Sequence, residues 1–135
     1  MWELFTHQSD IGIRASAQSL SGALEDAAIG LTAIVTEPKS VEAKEQVDIE
    51  CSGENDELLL MNWLGRIIYE MDVRKMLFSK FEVAIENLKL SAKIWGEKIN
   101  FEKHTPAVEP KGVTLNQLSV KNENGQWTVQ CVIDV

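Results

Sequence analysis

The stretch "DIGIRASAQSLSGALEDAAIGLTAIV", residues 10–35, shows two hydrophobic periods in succession. In its first part, Ile11 and Ile13 alternate with polar or small residues, which is the pattern of a strand with one buried face. After Ser19 the apolar residues recur at intervals of three and four, which predicts an amphipathic helix. Ser19 is the expected N-cap, and Pro38 is expected to end the helical segment. This stretch therefore predicts a half-buried strand followed directly by a helix.

The remaining sequence predicts a second helix among several strands. "VEAKEQVDIEC" (residues 41–51) has a strand pattern, and Asn55 is the expected N-cap of a helix that follows a short loop. Two further strands are predicted at residues 77–87 and 88–96. An Asn-Gly pair at residues 124–125 lies between two alternating segments, which predicts a hairpin with a type I′ turn.

The order of strand, helix, strand, helix and then several strands predicts an α+β fold. We expect two amphipathic helices packed on a mainly antiparallel sheet. A chain of 135 residues, of which 44% are apolar, is long enough for one core, so a single domain over residues 1–135 is expected. Residues 97–112 hold two of the three prolines and are expected to be irregular. The acids of the second helix, Glu57 and Glu70 among them, are expected to face solvent.

The charge balance limits the classes of partner. The chain has 13 basic and 21 acidic residues, a net charge of −8, so direct binding of nucleic acid is disfavoured, whereas a cation or a basic protein surface is favoured. The N-terminus lacks the pattern of a secretory signal, and no apolar run reaches the ~20 residues of a membrane span. We expect a cytoplasmic protein with no membrane partner. Cys51 and Cys131 lie in strand-like segments and are expected to be small buried hydrophobes.

Each end of the chain carries an acid on the polar face of a strand. Asp10 precedes the first alternating strand, and Asp134 lies opposite the apolar face of the last one. If these strands are neighbours, both carboxylates converge with the α-carboxylate of Val135, and three close anions require a cation. Oxygen ligands of this kind suit Ca²⁺, Mg²⁺ or Mn²⁺ better than Zn²⁺. Gly12 is expected to leave room above the strand.

Other interpretations of these residues remain open from spacing alone. Asp10 can serve as a turn residue, and Asp134 as a solvated acid near the terminus. His7 and His104 are the only histidines, and a lone histidine is more often a hydrogen-bonded structural residue than a catalyst. The chain has no phosphate-binding glycine loop, no nucleophile elbow and no zinc-protease motif.

Several segments resemble the archease family in the order in which that family has them. "THQSDIGIRASAQSLSGALEDAAIGLTAIVTE" is similar to its opening motif and first helix. "DELLLMNWLGRIIYEMD" followed by "LFSKFEV" resembles its second helix and next strand. "GEKINFEKH", "PKGVTLNQLSV" and the closing "VIDV" resemble its C-terminal half. The resemblance covers nearly the whole chain.

This resemblance implies a non-catalytic accessory protein of RtcB-type RNA ligases, which are GTP- and Mn²⁺-dependent enzymes of tRNA splicing and RNA repair. It implies that the protein promotes ligase guanylylation and repeated turnover through an acidic tip, meaning Asp10, Asp134 and the terminal carboxylate of Val135. The ion implied for this tip is Ca²⁺, with Mg²⁺ or Mn²⁺ as alternatives. His7 and His104 are secondary candidates for the site.

The sequence departs from the family pattern at two places. The family's "HTAD" is "HQSD" here, and its "TYH" is "TLN", so that Leu115 and Asn116 replace a Tyr-His pair. Both aspartates match. Two other functions stay open beside the accessory role: a small metal-dependent phosphohydrolase that uses the same acids with a histidine base, and a chaperone-like interaction module.

Overall fold

A computed structural model describes all of residues 1–135. In chain order the elements are β1 (Trp2–His7), β2 (Asp10–Ala17), α1 (Leu20–Val35), a 3-10 turn (Pro38–Ser40), β3 (Glu45–Ser52), α2 (Asp56–Arg74), β4 (Met76–Glu86), β5 (Lys89–Lys98), α3 (Phe101–His104), β6 (Gly112–Val113), β7 (Ser119–Glu123) and β8 (Gln126–Asp134). The predicted α+β class with antiparallel strands is confirmed. None of the helices combines the length and the apolar character that crossing a bilayer requires.

Both predicted helix caps are present. The Ser19 hydroxyl accepts a hydrogen bond from the Gly22 N–H (3.0 Å), and the Asn55 side chain accepts one from the Leu58 N–H (2.8 Å). Such caps satisfy backbone donors that have no partner within the helix, and each stabilises its helix by about 1 kcal/mol. The predicted starts of both helices therefore follow from local side-chain chemistry.

The strands form two antiparallel sheets rather than one. The larger sheet has the order β1-β2-β8-β6, with β7 also pairing with β8, and the smaller has the order β3-β5-β4. In the larger sheet Ile11 pairs with Ile133, and Ala17 pairs with Trp127. The first predicted strand and the last strand of the chain are therefore neighbours. The N-terminal strand β1, which the sequence analysis did not predict, pairs with β2 along its whole length.

The two long helices pack against strands of both sheets. Helix α1 contacts β2 and β8 of the larger sheet and β4 of the smaller one, and α2 contacts strands of both sheets. Trp63 of α2 is fully buried, and its indole N–H donates to the carbonyl of Leu24 in α1 (2.9 Å). At Gly30 a Cβ would lie 2.9 Å from the Ile13 side chain, so this glycine permits the close approach of α1 to β2.

Two expectations about exposure and regularity are wrong. Glu70 is only 3% exposed, because strands of both sheets pack against α2. Its carboxylate lies 3.2 Å from the Arg74 guanidinium. Glu57 is half-buried. Residues 97–112 are not irregular throughout, since β5 continues to Lys98 and a four-residue helix follows. Within this segment, residues 99–100 and 105–111 lack regular structure.

Both cysteines are free thiols in apolar surroundings. Cys131 is buried, and burial raises the pKa of its thiol to about 12. Cys51 is half-buried, and burial also raises its pKa. A raised pKa keeps the thiol protonated and unreactive at neutral pH, as expected for small core residues.

Candidate functional site

The outer face of the larger sheet carries one row of polar residues at the end where the chain terminates. His7 of β1 pairs with Asp10 of β2, and Gly112 of β6 pairs with Asp134 of β8. Since Ile11 pairs with Ile133, extension of that register by one residue brings Asp10 opposite Asp134. Directly opposed residues on neighbouring strands have Cβ atoms about 5 Å apart. The two acids of the acidic tip are thus cross-strand neighbours.

The polar stretch before β2 is the turn of a hairpin. His7 and Asp10 close a two-residue connection, and Gln8 at its first position has a φ of 56°. Non-glycine residues adopt this backbone conformation at a cost of about 1–2 kcal/mol. The turn fixes Asp10 as the first residue of β2, at the edge where β8 ends.

The C-terminal part of the tip is held by backbone contacts. The Lys111 N–H donates to the carbonyl oxygen of Asp134 (2.7 Å), and the side chain of Val135 is half-buried against the core. Asp134 is therefore held by backbone contacts with residues 111–112, and Val135 packs against the core.

The acidic tip contains no internal cation. None of the ion pairs in the structure involves Asp10, Asp134 or the terminal carboxylate. Two like charges on neighbouring strands repel each other, and water around the exposed Asp134 weakens this repulsion. A bound cation would remove this repulsion.

The donor atoms of the tip fit a hard divalent ion. No three His, Cys, Asp or Glu side chains lie together in an arrangement that could hold a metal, so an ion here would depend on two side-chain carboxylates, the terminal carboxylate of Val135 and water. Such an all-oxygen set suits Ca²⁺, Mg²⁺ or Mn²⁺. His7, in the same row, has a buried Nδ1 with no hydrogen-bond partner.

The expected open space above Gly12 is absent. Phe5 pairs with Gly12, and a Cβ at residue 12 would lie 2.1–2.4 Å from three atoms of the Phe5 ring. The Arg14 guanidinium lies 4.8 Å from the centre of this ring and donates to Glu3 (2.7 Å) and Gln130 (2.9 Å). The missing side chain at Gly12 therefore makes room for an aromatic ring, and the tip opens only beyond the strand ends.

His104 belongs to a different polar cluster. It is 1% exposed, its Nδ1 accepts from the Asn100 N–H (2.9 Å), and its Nε2 lies 3.2 Å from a carboxylate oxygen of Glu97. Because Nδ1 is an acceptor, the proton is on Nε2 and is donated to Glu97. His104 therefore has a structural role in this cluster, and none of its side-chain partners belongs to the acidic tip.

Glu97 is the centre of this cluster, which we call the Glu97 cluster: Glu97, Glu42, Lys44, Lys103 and His104. The carboxylate accepts from the Glu42 N–H (2.7 Å) and from Lys103 Nζ (2.8 Å), with Lys44 Nζ at 3.7 Å. The backbone hydrogen bond from Glu42 and then the Lys103 contact lower the pKa of Glu97 to about 2. This group is not predictable from the sequence, because its members come from separate segments with no common periodicity.

The residues that depart from the family pattern lie in two turns. Gln8 and Ser9 form the β1–β2 turn, and Leu115 lies in the turn that follows β6, where it is 71% exposed. The Asn116 N–H donates to the Thr114 hydroxyl (3.2 Å). These substitutions therefore change turn surfaces and leave both acids of the tip in place.

A family model for the archease protein family matches residues 2–135. The chain belongs to the archease family. Protein archease of Pyrococcus abyssi is 39% identical, with 99% of this chain and 98% of that protein covered. Protein archease of Sulfurisphaera tokodaii is 35% identical over the same shares. The family resemblance seen in the sequence is confirmed.

Two solved structures share the fold of this archease. The solution structure of Methanobacterium thermoautotrophicum protein 1598 has a TM-score of 0.86 and 30% identity, with 99% of this chain and 98% of that chain covered. The crystal structure of the Thermotoga maritima protein, named an archease and possible chaperone, has a TM-score of 0.67 and 16% identity, with 97% and 94% covered. At that identity the second match concerns the fold alone.

Proposed function

We propose that this archease is a cytoplasmic, non-catalytic accessory protein that activates an RtcB-type RNA ligase in tRNA splicing and RNA repair. Family membership supports the class of protein. The observation that supports the proposed mechanism is the pairing of Ile11 with Ile133, since continuation of this register by one residue would bring Asp10 opposite Asp134 at the end of the chain. In this proposal the acidic tip binds a divalent ion and contacts the ligase near its active site.

Asp10, Asp134 and the terminal carboxylate of Val135 would hold the ion, with Ca²⁺ as the first candidate and Mg²⁺ or Mn²⁺ as alternatives. When bound, the ion supplies a positive centre whose remaining ligand positions are open to a partner. The protein's own contribution is to fix the two side chains on neighbouring strands and the terminus against the core. Removal of either side-chain carboxylate would leave too few ligands.

The charge of the whole chain supports a protein partner rather than RNA. A net charge of −8 repels phosphate backbones, so we propose that the protein acts on the ligase and not on the RNA substrate. The ligase surface that meets the tip would then be basic or would share the ion. Association should weaken as the salt concentration rises, since exposed charges are screened over about 10 Å at 0.1 M salt.

The test is guanylylation of the cognate ligase by GTP across a titration of Mn²⁺, with and without this protein. Asp10→Asn and Asp134→Asn should each abolish the stimulation. Asp48→Asn is a matched control, because it removes one exposed carboxylate from the other sheet. Full stimulation by either tip variant would overturn the proposed role of the tip, and absence of stimulation by the wild-type protein would overturn the proposed function.

The same variants separate the two other functions. The Thermotoga maritima relative is named a possible chaperone. If this protein had a chaperone-like role, loss of the metal would lower its stability without a specific effect on ligation. In a phosphohydrolase role the isolated protein would cleave a phosphoester in a metal-dependent reaction. Two-metal phosphoryl chemistry uses more carboxylates than this single tip contains.

A further inference from the structure

A groove of about 720 Å³ lies between the last turns of α2, helix α3 and the irregular segment 105–111. Most of its lining is apolar, with Met71, Ile99 and Val108 on three of its sides. Phe101 also lines the groove and is 71% exposed. A large exposed aromatic side chain beside an apolar groove is typical of surfaces that bind another molecule.

One wall of the groove has two backbone N–H groups that bond to no backbone carbonyl. The segment is attached at its two ends, where the Ala107 N–H donates to the Val35 carbonyl (2.8 Å) and the Lys111 N–H donates to Asp134 (2.7 Å). Between these points the N–H groups of Val108 and Glu109 make no backbone–backbone hydrogen bond. Unpaired main chain next to apolar pockets is the arrangement that binds peptide segments.

The charges at the groove indicate what kind of segment it fits. Asp72, Lys75 and Glu109 are its charged lining residues. Lys75 lies 3.5 Å from Asp72, whereas Glu109 forms no ion pair. The net charge of the groove is therefore negative, which favours an apolar segment that carries a Lys or Arg at its flank.

The groove lies near the acidic tip, because its wall leads along the chain to Lys111. Lys111 follows the groove wall directly and donates to Asp134, and Val108 is only three residues away, about 10 Å along the chain. A typical protein interface covers about 800 Å² on each partner, which is large enough to include both features. One partner surface can therefore cover the groove and the tip together.

We propose that this groove binds an apolar, basic-flanked segment of the ligase that contacts the acidic tip. The inference rests on the proposed function, since it assigns a second contact to the same partner. The segment's apolar side chains enter the groove beside Phe101, its main chain accepts from Val108 or Glu109, and its basic side chain faces Glu109. The groove then contributes affinity, while the tip contributes activation.

The test is calorimetric titration of the full-length protein with the cognate ligase. Phe101→Ser should weaken binding at least about tenfold, the effect of a moderate interface residue. Tyr69→Ser is the matched control, because Tyr69 is also an exposed aromatic residue (57%) but lies outside the groove; its affinity should stay within about twofold. Both side chains face solvent, so neither variant should lose its fold, which circular dichroism checks.

Amide hydrogen exchange provides the second measurement. Exchange at Val108 and Glu109 should slow at least about tenfold when the wild-type protein binds the ligase. Unchanged affinity of Phe101→Ser together with protection confined to residues 7–11 would overturn the groove proposal and leave the proposed function standing. Absence of any binding by the wild-type protein would instead overturn the proposed function.

Discussion

The acidic tip and the Glu97 cluster both contain carboxylates, but they differ in whether these carboxylates pair with cationic groups of the same chain. Glu97 receives a backbone N–H, a lysine ammonium and a histidine N–H from its own chain. Asp10 and Asp134, which the β2–β8 register brings to neighbouring positions, form no ion pair with a cationic side chain. The Glu97 carboxylate is paired with cationic groups of its own chain, whereas the acids of the tip form no ion pair within the chain.

This difference separates a structural acid from a candidate ligand site. A buried carboxylate that is fully paired stabilises the native state only as long as its partners remain. A pair of unpaired carboxylates on neighbouring strands costs energy in the absence of a ligand and gains energy when a cation arrives. Stability measurements on the two groups should therefore respond in opposite directions.

The largest effect is expected from Glu97→Gln. The substitution removes the charge that faces Lys103 and Lys44, and it leaves buried donors with a weaker acceptor. Loss of a hydrogen bond to a charged group costs about 1.5–3 kcal/mol, and no unpaired charge stays buried because both lysines can turn to solvent. Urea denaturation gives the free energy of unfolding. A loss below about 1 kcal/mol would contradict the structural role of this cluster.

The pH dependence of stability should identify the same carboxylate. The pKa of Glu97 is about 2 in the folded protein, below its ordinary value of 4.5. Its contribution is therefore present above about pH 4.5 and is lost as the pH falls toward 2. The difference in unfolding free energy between wild type and Glu97→Gln should shrink across this window. A difference that stays constant from pH 6 to pH 2.5 would contradict the assignment.

Neutralising the tip in metal-free buffer should have a smaller effect of opposite sign. The double variant Asp10→Asn with Asp134→Asn removes the repulsion between the two carboxylates, so the free energy of unfolding should rise by about 1 kcal/mol or stay unchanged. The measurement is the same urea denaturation, with chelator present. Destabilisation by more than about 1 kcal/mol would mean that these acids support the fold rather than await a ligand.

The smallest effect concerns the turn that positions Asp10. Gln8 has a φ of 56°, and glycine adopts this conformation without strain. Gln8→Gly should therefore raise the free energy of unfolding by about 0.5–1 kcal/mol. Ser9→Gly is the matched control, because Ser9 does not have a positive φ, and it should be neutral or destabilising. Equal effects of both changes would contradict the proposed strain.

Features set by neighbouring residues were predictable from the sequence. The caps at Ser19 and Asn55 depend on side chains within three residues of the donors that they satisfy. The Asn-Gly turn is also present: Asn124 and Gly125 both have positive φ, and β7 pairs with β8 across them. Alternation along β2 and β8 assigned Asp10 and Asp134 to the polar faces, and the sheet order then made them neighbours.

Features set by distant residues were not predictable. The Phe5 ring fills the space above Gly12 because β1 pairs with β2, and β1 has no strong alternating pattern. The burial of Glu70 follows from how strands from both sheets surround α2. The Glu97 cluster joins three separate chain segments, so that no local spacing indicates it.

A metal site at the acidic tip is tested most directly by calorimetric titration of Ca²⁺, and separately Mn²⁺, into the metal-free protein. We expect one ion per wild-type chain and an affinity at least about tenfold weaker in Asp10→Asn and in Asp134→Asn, equal to about 1.4 kcal/mol or more. Asp48→Asn should bind as the wild type does. Absence of binding by the wild-type protein, or equal binding by all four proteins, would contradict a metal site at the acidic tip.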